Sequence, residues 1–147
     1  MGYLGGLHFW WPKITGRMYP EGLAKTAAVI IFIGFFFTFG PQFLLGYLGM
    51  PRRYAMYPPE WQMLNVMSTA GATVMGLGYL LTLLYLSWSI FFGPVASENP
   101  WRAFGLEWQT SSPPPTENFS HVPVVTHEAY DYASIDHPET VAEHNAA

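Results

Sequence analysis

The sequence predicts an all-α membrane protein: the end of one transmembrane helix and two full transmembrane helices of a larger helical bundle, followed by an extended C-terminal tail. Three observations predict it. Half of the 147 residues are apolar and only 11% are charged, against about a quarter charged in soluble domains. Two long runs, residues 26–50 and 61–97, carry no charge at all. The charges that remain are segregated. Residues 1–96 hold Lys13, Arg17, Lys25, Arg52 and Arg53 against Glu21 and Glu60, a net +3, whereas residues 97–147 hold Arg102 against eight acids, a net −7. An apolar, weakly basic body with an acidic extension reads as a membrane segment leading into water. It argues against a soluble enzyme and against a nucleic-acid partner. Without Cys there is no disulfide framework, no Cys-ligated zinc or iron–sulfur site and no thiol chemistry.

The elements follow in chain order. Residues 1–12 are uncharged but reach only about 18 Å as a helix, too short to cross. No basic residue precedes them and no small-residue cleavage site closes them, so a signal peptide is a poor explanation. They read as the last turns of a helix, residues 1–16, whose start lies upstream. Residues 13–25, with Gly16, Pro20 and three bases, form a polar connection. Residues 26–50 are long enough to span, since about 20 apolar residues suffice, and are interrupted by Gly40-Pro41-Gln42. The next connection holds Pro51, Pro58 and Pro59 around the pair Arg52-Arg53. The second span lies within 61–97, with 74–92 its most apolar part and Asn65, Ser68, Thr69 and Gly71 as polar or small breaks. A helix facing lipid alone has little use for such breaks; they suggest burial against other protein or a cofactor. Ser68, Ala72 and Gly76, four apart, predict a small face for close approach of another helix or a ring, helix contact being the commoner use, and Asn65 and Thr69 predict hydrogen bonds within the bundle. Trp10, Trp11 and Trp61 are natural interface anchors. Beyond Ser97 the chain is polar, and Pro113-Pro114-Pro115 blocks helix and strand. The expected organisation is therefore 1–16, the end of a helix; 17–96, two spans joined by an arginine loop at 49–59; and 97–147, an acidic tail.

Lys13, Arg17 and Lys25 precede the first span and Arg102 follows the second. Two crossings return the chain to one side, and the positive-inside rule makes that side cytoplasmic. The loop at 49–59 then faces outward, yet it carries two adjacent guanidiniums with only Glu60 nearby in sequence. They need an anion. Arginine pairs bidentately with carboxylate and phosphate, so lipid phosphate, a carboxylate on another subunit and the propionates of a haem all remain open on chemistry. His8 has no companions at metal-ligand spacing. His121, His127, His137 and His144 are scattered along the acidic tail and form no ligand pattern. Phe35, Phe36, Phe37, Phe39 and Phe43 form an aromatic cluster of the kind that usually packs or meets lipid. Asn118-Phe119-Ser120 fits a glycosylation pattern but falls on the cytoplasmic side of this topology.

The run Gly40-Pro41-Gln42-Phe43-Leu44-Leu45-Gly46, then Gly49-Met50-Pro51-Arg52-Arg53-Tyr54 and Tyr57-Pro58, closely resembles subunit I of the haem–copper oxidase family. Gly5-Gly6-Leu7-His8-Phe9-Trp10-Trp11-Pro12 resembles the end of that subunit's tenth helix. Leu106-Glu107-Trp108-Gln109-Thr110, Pro113-Pro114-Pro115 and Asn118-Phe119 resemble its tail. The match covers roughly residues 1–120. The resemblance implies an eleventh helix at about 22–48 and a twelfth at about 60–95, with Arg52 and Arg53 on the propionates of the two haems and Phe39 and Phe43 against the low-spin haem. It implies low-spin and high-spin haem A and copper in the full enzyme, with no catalytic residue and no metal ligand in this segment. The partners it implies are the remainder of subunit I, subunits II and III, cytochrome c and membrane lipid, in a bacterial inner membrane. The implied activity is proton-pumping transfer of electrons from cytochrome c to dioxygen, forming water. A non-catalytic scaffold subunit and a lipid-binding membrane protein are the alternatives.

Overall fold

The computed structural model describes residues 2–119 and 122–125. His121, His127, His137, His144 and Ser120 lie outside the described residues. Among the described residues there are three α-helices, α1 (Gly2–Thr15), α2 (Glu21–Tyr47) and α3 (Gln62–Phe92), and two short 3-10 turns, Pro59–Trp61 and Leu106–Gln109. Among the described residues there is one isolated antiparallel bridge, Arg17 with Val95, and no strand. The chain divides into two compact units, Pro20–Phe91 and the combination of Met1–Tyr19 with Phe92–Ala147.

The first unit is an antiparallel pair of long apolar helices. α2 follows Pro20, whose extended backbone starts it. Glu21 sits in the first turn, where it favours the helix dipole, and pairs with Lys25 at 2.9 Å on an exposed surface. At the other end the Met50 N–H donates to Leu45 O and the Gly49 N–H to Gly46 O. This is the Schellman closure, and it needs a left-handed residue; Gly49 supplies it at φ 89. Pro51 then prevents the helix from resuming. The 27 residues of α2 and the 31 of α3 are about 40 and 46 Å long at 1.5 Å per residue, enough to cross a membrane by length and composition. Their outer faces remain apolar and open, as at Phe32, Phe36, Leu83 and Leu84.

Buried on α2 are Ala27, Ile31, Gly34, Pro41 and Leu45, and on α3 Asn65, Ser68, Gly71, Gly78, Thr82, Tyr85, Leu86 and Ser89; the two helices meet at Gly34 with Met75, Phe37 with Gly71 and Ile31 with Gly78. Backbones approach so closely that a Cβ on Gly34 would strike the Met75 main chain and one on Gly71 would strike that of Phe37. Beside Pro41, Gln42 Nε2 donates to Ser68 Oγ at 3.0 Å, and Ser68 Oγ donates to Thr38 O at 3.0 Å. Of the small face expected at Ser68, Ala72 and Gly76, one residue meets α2 and the other two stay open to another helix or a ring. Only Ser68 lies in the contact. Ala72 and Gly76 are exposed, and a Cβ at Gly76 would meet nothing. Steps of four advance 400° on a helix of 3.6 residues per turn and drift off a straight stripe, whereas alternating steps of three and four stay on it.

In the second unit the end of α1 is wrapped by the C-terminal segment. Met18 N–H donates to Pro94 O, Ala96 N–H to Gly16 O, and Arg17 Nη1 to Gly93 O at 2.9 Å. Trp101 Nε1 donates to Phe9 O at 2.9 Å and its ring stacks on Phe9, while Trp108 meets Phe9 edge-on. Lys13 is 5% exposed. Its ammonium donates to Thr110 O at 2.7 Å, Glu98 O at 2.9 Å and Ser111 O at 3.3 Å, and lies 5.2 Å from the Trp108 ring centre. Lys13 is thus part of the helix end expected at 1–16, and residues of the 97–119 stretch pack along helix α1.

Candidate carboxylate site on the arginine turn

The turn between α2 and α3 starts at the Gly49 closure and Pro51, both of which stiffen it. Arg52 and Arg53 are exposed. Among the described residues the one ion pair is that of Lys25 and Glu21, so neither guanidinium meets Glu60. Arg53 has φ 56, the left-handed region, which costs a branched or long side chain on the order of 1–3 kcal/mol and persists only where the flanks hold it.

Both flanks are held. After the turn, Tyr54 Oη donates to Asn65 Oδ1 at 3.1 Å. Asn65 Nδ2 donates to Trp61 O at 2.9 Å and sits 4.0 Å from the sulfur of Met50, which precedes the turn. Tyr54 meets Tyr57 edge-on at 5.5 Å, and Tyr57 Oη donates to Gln62 Oε1 at 2.8 Å. Next to this network lies a cleft of about 430 Å³ lined by Tyr57, Gln62, Asn65, Val66, Thr69, Ala70 and Thr73.

Phe39 and Phe43 stand one turn apart on one face of α2, continuing Phe35. The rings of Phe35 and Phe39 are 4.8 Å apart. Phe39 is 49% and Phe43 81% exposed, so both are open to a flat apolar ligand. Chemically the turn offers two exposed cationic forks on a held backbone and the helix an aromatic strip. His8 is engaged elsewhere, with Nδ1 2.6 Å from Leu4 O and its ring 5.0 Å from that of Tyr19. Two features escaped the sequence. Asn65 reads there as a hydrogen-bonding residue of the bundle, and only folding brings it to Tyr54 and Met50. Lys13 reads there as a topology charge, and only folding buries it.

Residues 1–74 match the family model described as cytochrome c and quinol oxidase polypeptide I. The matched stretch takes in α1, α2, the arginine turn and the start of α3, as far as residue 74. The chain belongs to the cytochrome c and quinol oxidase polypeptide I family. It is similar to cytochrome c oxidase subunit 1 of a Synechocystis strain, 45% identical over 140 residues, covering 92% of this chain and 25% of that protein. It is similar to the haem–copper oxidase subunit I+III of Aeropyrum pernix, 47% identical over 126 residues, covering 85% of this chain and 15% of that protein. It is also 41% identical over 127 residues to cytochrome c oxidase subunit 1 of Bacillus subtilis, covering 84% and 20%. The chain thus spans a quarter or less of the length of these relatives. The polypeptide I family is a membrane helical bundle, and α2 and α3 suit it in length and hydropathy.

Proposed function

We propose that this chain forms part of the catalytic subunit of a proton-pumping terminal oxidase that passes electrons from cytochrome c to dioxygen, forming water, with Arg52 and Arg53 holding the propionates of its haems. The observation that carries the reading is the guanidinium pair itself: two adjacent, exposed forks without an acidic partner among the described residues, in a chain whose relatives are named cytochrome c oxidase subunit 1. The donor set fits carboxylates. Planar guanidiniums bind them bidentately, and the exposed strip of Phe39 and Phe43 suits a porphyrin face. Haem A, low-spin and high-spin, and copper supply the redox chemistry when bound; their ligands fall to the remainder of the subunit. What this chain's own residues do is electrostatic. Two adjacent positive charges offset the propionates, favour the reduced over the oxidised haem, and link propionate protonation to electron arrival.

The remaining parts of the reading rest on the charge pattern, for orientation, and on the family resemblance, for membrane and partners. The arginine turn faces outward and the tail the cytoplasm, in a bacterial inner membrane. The partners are the rest of subunit I, subunits II and III, cytochrome c and lipid. The test is a redox titration of the complete oxidase carrying Arg53→Met. Loss of a cation beside a propionate lowers the haem midpoint potential. An unchanged potential, or a purified complex containing this chain with no reduced-haem absorption, refutes the reading in favour of a scaffold or a phospholipid-binding role.

A further inference from the structure

We infer that Asn65 is the positioning residue of the arginine turn: one buried carboxamide at the start of α3 holds both flanks of Pro51-Arg52-Arg53, so that the backbone carrying the two guanidiniums is set before their carboxylate ligand arrives. The inference rests on the propionate reading above and deepens it.

Asn65 is 9% exposed. Its back-bond to Trp61 O pins one end of the planar carboxamide, which leaves Oδ1 a single direction, and Tyr54 Oη donates there. The same Nδ2 lies against Met50 Sδ. Met50 and Tyr54 bracket the turn, so one side chain holds its entrance and its exit. The left-handed Arg53 between them is a backbone state that survives only under such restraint. Without it the turn would have to order as the anion bound, and that ordering weakens binding. The Schellman closure holds only the α2 side; Asn65 supplies the hold from α3. Tyr57 bonds Gln62 instead and provides an internal control.

The experiment uses the complete subunit in membranes, haem-free and loaded. In the haem-free protein, Asn65→Leu raises tryptic cleavage after Arg52 and Arg53 about tenfold or more. Tyr54→Phe raises it too, and the Asn65→Leu/Tyr54→Phe double variant is no faster than Asn65→Leu, because both remove the same bond. Tyr57→Phe stays at the parent rate. In the loaded enzyme, Asn65→Leu moves the haem midpoint potential in the direction of Arg53→Met and by less. Cleavage at the parent rate in Asn65→Leu overturns the inference, even where Arg53→Met shifts the potential and the propionate reading stands. If Asn65→Leu does not insert, Tyr54→Phe decides alone, with parent-rate cleavage overturning the inference. Fast cleavage in Asn65→Leu with no change of potential in Arg53→Met keeps the turn-setting role and removes the haem reading.

Discussion

Replacing Lys13 with Met tests whether residues 97–119 are an integral part of the fold. Met has nearly the length of Lys and no charge. The substitution removes three ammonium hydrogen bonds, to Glu98 O, Thr110 O and Ser111 O, and the contact over Trp108. Hydrogen bonds from a charged donor contribute about 1.5–3 kcal/mol each, and a cation over an indole about 0.5–2 kcal/mol. Part of that gross sum is offset, because Met has no ammonium to desolvate, a cost of several kcal/mol. The net loss is about 2–4 kcal/mol, most of it from three carbonyls left without their donor. At 1.4 kcal/mol per factor of ten, the population with the segment detached rises roughly 30- to 1,000-fold. Arg102 is exposed within that segment, so tryptic cleavage after Arg102 reads the detached population while reclosing outpaces cleavage. In the complete subunit, Lys13→Met accelerates this cleavage by that factor. Lys13→Arg, which keeps the charge but presents a planar fork in place of three divergent donors, falls between. Cleavage of Lys13→Met at the parent rate, with normal membrane insertion, would show that the ammonium does not hold the segment.

Two further outcomes follow from the helix pair. Gly34→Leu drives a side chain into the Met75 main chain, which cannot yield as a side-chain tip can; it separates α2 from α3 and costs at least 1–3 kcal/mol, measured as a lowered midpoint in thermal unfolding of the detergent-solubilised subunit. Gly76→Leu on α3 meets nothing and leaves the pairing of α2 and α3 intact in that measurement. Gly49→Val places a β-branched residue at φ 89 and destabilises the α2 closure by about 1–2 kcal/mol, while Gly49→Asn costs less because Asn tolerates the left-handed state. Equal losses for Val and Asn in denaturant titrations would refute the conformational explanation, since a Cβ at Gly49 has open space.

Much of the candidate site was legible in the sequence and some was not. Arg52-Arg53 stood out because two like charges between Pro51 and Tyr54, with one acid near, defy the ordinary balance of a membrane loop. Phe39 and Phe43 were visible as part of an aromatic run, and their shared open face follows from a spacing of four. Asn65 was visible as a polar interruption, but its grip on Tyr54 and Met50 depends on how the loop folds back, and an eleven- or fifteen-residue separation leaves no periodic signal.

By itself the sequence determined where helices form and that two of them suit a membrane. Charge density, run length, Pro and Gly are local properties, and a 1.5 Å rise per residue turns a run of 25 uncharged residues into a span without reference to anything else. Tertiary structure decided which side of each helix meets its neighbour and where isolated polar groups find partners. On the side of α3 that meets α2 the stripe is Ser68, Gly71, Gly78, while Ala72 and Gly76 stay open, because two cylinders touch along one line and several small-residue stripes are available until backbones are brought together. Lys13 was buried for the same kind of reason: its acceptors come from residues 85 to 98 positions away, and a hydrogen bond across that distance is a property of the folded chain, not of any segment.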